Sequence, residues 1–156
     1  MLDTLTYKII CPHSHDEYER YFRFRWEQLR KPLKLPLGSE RDSLDSQSFH
    51  CAAIDKQNSI IGVGSIQPAE NQAMRIRYMA VIEKYQRMRI GSRIILKLLE
   101  YAQENGAATC WLNARANALE FYRQHGFEVI ATMDTGLGIP HFRMQLKLET
   151  STSAYK

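Results

Sequence analysis

Long apolar runs, paired cysteines and phosphate-loop motifs are all missing from this sequence, and each absence removes a class of protein. No stretch approaches the ~20 consecutive apolar residues that cross a bilayer, so neither a membrane-spanning helix nor a membrane partner is expected. The start, Met1-Leu2-Asp3-Thr4-Leu5-Thr6-Tyr7-Lys8, has no basic segment followed by an apolar one. It does not read as a secretion signal, and the expected compartment is the cytoplasm. There are three cysteines, Cys11, Cys51 and Cys110, an odd number, far apart and without a CxxC. That excludes a disulfide framework and a metal site and leaves three buried, reduced thiols as the expectation. No Gly-Lys-Ser/Thr follows the basic segment 86–93, and Gly91 stands alone there. Walker A and the dinucleotide fingerprint are thereby excluded. No Ser-His-Asp order or Cys-His pairing argues for a covalent acyl-enzyme.

What is present fits one globular domain. The chain has 156 residues, 44% hydrophobic and 24% charged, with a formal net charge of +4. Residues 1–148 read as a single domain with room for a core, and residues 149–156 as a polar, frayed tail. The mild positive charge suits a polyanionic ligand. It would also allow weak nucleic-acid contact, but neither a helix-turn-helix nor an aromatic RNP pattern is present, so no nucleic-acid partner is expected.

In chain order, Tyr7–Cys11 reads as a short strand closed by Pro12. Ser14 and Glu17 have capping-box spacing, and an aromatic-rich helix follows to about Leu29. A proline-punctuated loop leads to Ser39-Glu40-Arg41-Asp42, which has the look of a capped helical turn. Ser48–Ile54, Ser59–Gln67 and Met74–Val81 read as three consecutive strands joined by short turns. Gly62 and Gly64 thin the middle strand and point to a bulge or close packing. Ile90, Ile94, Ile95, Leu98, Leu99 and Ala102 share one face at helical period, and Gly106 suits a left-handed cap. Thr109–Asn113 reads as a strand parallel to its predecessor through a crossover. A short helix, Ala116–His125, and two strands, Phe127–Ile130 and Phe142–Leu148, complete an α+β pattern with a mixed sheet.

The chemistry concentrates where the third meander strand meets the long helix. Helix N-termini carry unpaired amides and a partial positive charge. A tight turn before such a terminus makes those amides converge where a phosphate can sit. Arg87, Arg89 and Arg93 add formal charge there. A plain strand-to-helix junction with a solvated basic face is the competing reading of these residues.

Gln86-x-x-Arg89-x-Gly91 after Tyr78-Met79-Ala80-Val81 resembles the signature loop of the GNAT acetyltransferases, Gln/Arg-x-x-Gly-x-Gly/Ala, with Arg89 where glycine is usual. Asn117 to Phe127, with Phe121-Tyr122 and Gly126-Phe127, resembles a second segment of that family. The resemblance implies a GNAT fold: a mixed, mostly antiparallel sheet of about six to seven strands flanked by helices, with a V-shaped cleft after Met74–Val81. It implies acetyl-CoA as the acyl donor, held by Met79, Ala80 and Val81 along the strand, by Gln86, Arg87, Met88, Arg89, Ile90, Gly91 and Ser92 in the loop, and by Asn117. It makes Tyr122 the general acid toward the departing thiolate. His141, His50 and Glu83 are candidates for the base, with His141 preferred by its place in a Pro-His-Phe segment. Core packing is the competing reading for Tyr122, and helix capping for Asn117.

Within the family, Tyr21–Pro32, Gly38–Asp42 and Arg75–Val81 look similar to the N-terminal acetyltransferase domain of bacterial YiiD-like proteins. Arg25, Trp26, Arg30 and Arg41 thereby become candidate acceptor contacts, with surface salt bridges as the alternative. The expected function is acetyl transfer to a small-molecule or peptide acceptor, an amine by family default, directly in a ternary complex. A CoA-binding module without turnover and an acyl-carrier acceptor stay open. The reading leaves room for a homodimer.

Overall fold

The structure, a computed structural model, describes residues 5–149. Seven strands form one sheet in the order β1-β2-β3-β4-β5-β7-β6. They are β1 Tyr7–Ile10, β2 Phe49–Asp55, β3 Ile60–Pro68, β4 Ala73–Val81, β5 Thr109–Arg115, β6 Glu128–Met133 and β7 His141–Lys147. The helices are α1 His15–Leu29, α2 Ile90–Glu104 and α3 Leu119–Arg123. The expected α+β class, strand count and mostly antiparallel sheet all hold. Most of the expected tail, 150–156, lies outside the described residues. The chain divides into two compact units, Met1–Ser65 with Tyr78–Leu98, and Ile66–Arg77 with Leu99–Lys156.

In the first unit, α1 begins where the capping box predicts. The Ser14 hydroxyl accepts the Glu17 N–H at 3.0 Å, and the Glu17 carboxylate accepts the Ser14 N–H at 3.3 Å. The helix buries Tyr21, Phe22 and Phe24 against Ala52 and Val63, with Ile10, Tyr18, Ile60, Ala80 and Ile82 packed around them. The sequence reading placed a helical turn at Ser39–Asp42. The structure has a plain turn at 37–40 and a 3-10 turn at Asp45–Gln47 instead. The cause is local: Asp42 accepts the Leu44 N–H and Asp45 accepts the Asp42 N–H, so side chains take the amides a helix would use.

One buried charge organises that loop. Arg25 has no exposed surface. Its Nη1 donates to Asp45 Oδ1 and to the Glu40 carbonyl, both at 3.0 Å, and Nη2 donates to the Tyr21 hydroxyl at 3.0 Å. The guanidinium also stacks 3.7 Å from the Tyr78 ring centroid. Burial works against its charge, and the contacts to Tyr21 and Asp45 outweigh that, so its pKa moves up. Tyr21 in turn donates to His50 Nδ1 at 2.8 Å, while His50 Nε2 donates to the Asp45 carbonyl at 2.8 Å. The carbonyl fixes the tautomer, and burial keeps His50 neutral by lowering its pKa.

The same unit shows why β3 carries glycines. A Cβ on Gly64 would lie 2.5 Å from Met79 Sδ and 2.7 Å from Ile94 Cγ2. On Gly62 it would lie 3.0 Å from Ile90 Cγ2 and 3.2 Å from Ile94 Cδ1. Close packing, one of the two expected reasons, is the operative one. Ile90, Ile94, Ile95 and Leu98 of α2 are all buried, as the helical period predicts.

In the second unit, β4 and β5 pair in parallel through Ala73↔Thr109, Met74↔Cys110 and Arg75↔Trp111. β5 pairs with β7 antiparallel over seven positions, Thr109↔Lys147 to Arg115↔His141. Strict alternation buries Cys110, Leu112 and Ala114. At the sheet edge, β6 shifts register between Val129 and Ala131, leaving Ile130 as the extra residue of a bulge. The short helix expected over 116–125 is a 3-10 turn, Ala116–Ala118, followed by α3. Gly126 follows α3 with a φ of 93°.

Two stability outcomes follow. Gly64→Ala inserts one methyl into a filled space and is expected to cost about 1–3 kcal/mol, read as a lower urea midpoint; Gly106→Ala, where nothing lies within 4 Å, serves as the control for backbone strain alone. Arg25→Ala strands the Asp45 carboxylate and is expected to cost about 3–5 kcal/mol. Arg25→Lys should recover only part of this, because an ammonium cannot reproduce the planar fork that reaches three acceptors. A loss below about 1 kcal/mol on Arg25→Ala would remove the buried pair from the account.

Candidate functional site

The loop between β4 and α2 is built from backbone that favours glycine. Arg87 has φ 70° and Arg89 φ 67°, both left-handed. Left-handed residues alternating with ordinary ones fold the chain into a small concave cradle of N–H groups. The Arg89 carbonyl accepts the Arg93 N–H at 3.0 Å, the first bond of the helix. The N–H groups of Ile90 and Gly91 therefore lie ahead of the helical ladder. Arg87, Met88 and Arg89 are exposed and Gly91 is half-buried. Gln86 is held by its own side chain, whose Nε2 donates to the Val81 carbonyl at 3.1 Å.

This geometry explains the resemblance at the one position where the sequence departs from it. A residue with positive φ is where glycine is cheapest. Arg89 adopts the left-handed conformation without it, so the loop shape that glycine would give is retained. The cradle, the helix terminus and two exposed guanidinium-bearing residues fit a diphosphate. β4 leading into this loop has its own irregularity, since Tyr78 lies mid-strand with φ 58°. A bulky residue with positive φ there marks a local break in the pleat. Met79, Ala80 and Val81 follow it, all half-buried.

The expected acceptor contacts have mixed surroundings. Arg25 is spent inside the unit and presents no surface to a ligand, which corrects its reading as an acceptor contact. Arg30 is nearly buried, donating from Nε to the Ser39 carbonyl at 3.2 Å and from Nη1 to the Leu29 carbonyl at 3.2 Å. Trp26 Nε1 donates to the Leu35 carbonyl at 3.0 Å. Arg41 keeps nearly half its side chain exposed. It pairs with Glu40 at 3.1 Å and Glu19 at 3.7 Å, and lies 4.2 Å from the Phe22 ring centroid. Arg41, Phe22, Tyr18, Asp42, Ser48 and His50 help line a pocket of about 350 Å³. Of the base candidates, His50 has both ring nitrogens engaged, as described above. Glu83 is exposed.

In the second unit, Tyr122 is buried, with Phe121 and Phe127 edge-on at 5.0 and 6.0 Å. Burial raises the pKa of its phenol well above the ordinary value. The Tyr122 carbonyl accepts from His125 and Phe127, which closes the helix end. No hydrogen bond of its hydroxyl is seen among the described residues. His141 is buried at the start of β7, with Nδ1 3.0 Å from the Ile139 carbonyl and 3.0 Å from Thr135 Oγ1. A carbonyl can only accept, so Nδ1 carries the proton and Nε2 the lone pair. Asn117 is exposed within the turn before α3. Sequence reasoning missed the Arg25, Tyr21, His50 and Asp45 chain; the helical spacing of Tyr21 and Arg25 was its only signal. Among the described residues, no group of three or more His, Cys, Asp or Glu could hold a metal ion, and no helix is long and apolar enough to cross a membrane.

Left-handed arginine is a strained choice, which makes a stability prediction. Arg89→Gly is expected to be neutral or stabilising by up to about 1 kcal/mol, because relief of the positive φ competes with glycine's greater freedom when unfolded. Arg89→Val should destabilise by more than that, since a β-branched residue tolerates positive φ least. Thermal melts of the two variants read the sign directly.

The comparisons with known proteins agree with this architecture. The sequence profile described as "Acetyltransferase (GNAT) family" matches residues 12–127. The uncharacterized N-acetyltransferase YjcF of Bacillus subtilis (strain 168) is 27% identical over 139 residues, spanning 88% of this chain and 97% of YjcF. An acyl-CoA N-acyltransferase from Pseudomonas aeruginosa superposes with a TM-score of 0.76 at 17% identity, covering 92% of this chain and 99% of that one. An aminoglycoside 6'-N-acetyltransferase, solved with coenzyme A, superposes with a TM-score of 0.73 at 13% identity, covering 91% and 96%. The last two likenesses show the fold, and the profile match shows the family: this chain belongs to the GNAT acetyltransferases.

Proposed function

We propose that this protein transfers an acetyl group from acetyl-CoA to an amine of a small molecule or peptide, directly and in a ternary complex. The observation that carries this reading is the double left-handed cradle at Arg87 and Arg89 in front of α2. In this reading Met88–Ser92 hold the diphosphate, Met79–Val81 supply backbone partners for the pantetheine arm, and Asn117 adds a further contact. In the aminoglycoside 6'-N-acetyltransferase of the same fold, coenzyme A is present, which supports CoA as the ligand class here. We read residues 1–148 as one catalytic domain working in the cytoplasm of a bacterium.

The roles of the side chains follow from their chemistry. His141 Nε2, with its lone pair free of the Nδ1 contacts, takes the proton that the attacking amine loses. The C–N bond forms as the C–S bond breaks. Tyr122 donates a hydrogen bond to the sulfur that leaves. Its raised pKa keeps the phenol protonated through neutral pH, the state a donor needs. Arg41 is the acceptor-side arginine, because it alone of the three candidate arginines keeps nearly half its side chain exposed. Arg25 acts at one remove by holding the loop that carries Arg41. The resemblance of Tyr21–Pro32 and Gly38–Asp42 to YiiD-like domains, read from the sequence, keeps acyl thioesters as a secondary acceptor class.

The deciding experiment is thiol release from acetyl-CoA across amines, amino acids, peptides and acyl carriers. Acceptor-dependent thiol release supports transfer. Tight CoA binding with no release for any acceptor would make the protein a binding module. With an acceptor in hand, Tyr122→Phe is expected to slow turnover roughly a hundredfold while CoA affinity stays unchanged. No alkaline loss of activity assignable to Tyr122 is expected below about pH 10, since its pKa lies above the ordinary value. Wild-type turnover in Tyr122→Phe would make this tyrosine a packing residue.

A further inference from the structure

Two thiols meet across β1 and β2 in a place the acyl-transfer chemistry does not use. The strands run antiparallel in a fixed register, Tyr7↔Asp55, Lys8↔Ile54, Ile9↔Ala53 and Ile10↔Ala52. Continued by one residue, that register sets Cys11 opposite Cys51. Directly opposed residues of an antiparallel pair point to the same face, with Cα atoms about 4.5–5.5 Å apart. That lies inside the span of about 4.4–6.8 Å which a disulfide bridges. Cys11 lies near enough to Cys51 to help raise the pKa of its thiol. The expectation of three buried thiols needs correcting here: Cys51 and Cys110 are buried, and Cys11 is exposed. β1 ends at Ile10 and Pro12 follows, so Cys11 lies just beyond the strand.

We propose that Cys11 and Cys51 are an oxidation site, closing an intrachain disulfide between the end of β1 and β2 in response to hydrogen peroxide. The exposed Cys11 sulfur attacks the peroxide; an S–O bond forms, the O–O bond breaks, and the leaving oxygen departs as water with the proton of Cys11. The Cys51 sulfur then attacks the Cys11 sulfenic sulfur. The S–S bond forms, the S–O bond breaks, and the hydroxyl leaves as water with the proton of Cys51. In sum both sulfurs are oxidised by one electron each, and the peroxide is reduced to two waters.

The division of labour follows from burial. Cys51 has no exposed surface, and burial pushes its thiol up to about 12, with the Lys97 charge opposing only in part. It remains a thiol and cannot be the first to meet an oxidant. Cys11 has the access, and Cys51 resolves the product before a second peroxide arrives. Cys110 is buried as well, its thiol pushed up to about 12, and serves as the internal control. The cross-link would pin the outermost strand of the sheet three residues before Ser14, the cap of α1.

The test uses the full chain, reduced, exposed to hydrogen peroxide, then unfolded in denaturant, alkylated and digested without reductant. The expected result is an intact mass lower by two hydrogens, a linked pair of peptides containing Cys11 and Cys51, and full alkylation of Cys110, all reversed by dithiothreitol. Cys11→Ser, at an exposed position, should abolish the mass loss. Cys51→Ala should leave Cys11 as a sulfenic acid that dimedone traps; if that variant does not fold, the peptide map and Cys11→Ser decide alone. Accumulation of sulfinic acid on Cys11 in the wild-type chain without the linked pair would overturn the proposal. So would a link that joins two chains.

Discussion

The close approach of α2 to β3 is the constraint on which the rest depends. Gly62 and Gly64 remove the side chains that would hold the helix off the sheet, and Ile90, Ile94 and Leu98 fill the space they leave. Ile90 is the first residue of α2, so the packing that fixes the helix also fixes its N-terminus. The amides of Ile90 and Gly91 thereby point from a position set by the core and not by a loop. The two left-handed arginines then close the turn between the end of β4 and this anchored terminus. Binding energy for an anion is available because the donors are already in place, with little ordering left to do on association.

The buried guanidinium of Arg25 plays the corresponding part for the segment after α1. That segment, 31–48, holds only two 3-10 turns and no strand. Its order comes from side chains: Asp45 to Arg25, Asp42 to the Tyr78 hydroxyl, Glu40 to the Gly38 N–H. A charge in such a place is costly unless every partner is kept, and that cost enforces one conformation of the loop. Arg41 is displayed from the same loop. An arginine that contacts nothing in solvent can thus decide where another arginine stands.

Much of the fold was legible because its signals are local. The Ser14–Glu17 capping box, the Ile90–Ala102 stripe and the Gly106 cap each depend on a few neighbouring residues. The Ser39 turn was misread because capping residues also make turns, and the choice between them lies with Asp42 and Asp45. The role of Arg25 was not legible: an arginine on an aromatic helix reads the same whether it faces water or a distant aspartate. Arg89 at a glycine position looked like a departure until its φ was seen. The opposition of Cys11 to Cys51 depends on strand register, which no single stretch encodes.

The central claim is that the loop amides hold the diphosphate of the donor. The most direct measurement is a titration of the labelled protein with CoA, following the backbone amide resonances. The account predicts that Met88, Arg89, Ile90 and Gly91 show the largest shifts, saturating with the same affinity as CoA binding measured by calorimetry. It predicts much smaller shifts there with pantetheine, which lacks the diphosphate. CoA binding that saturates while these amides stay unmoved would contradict it.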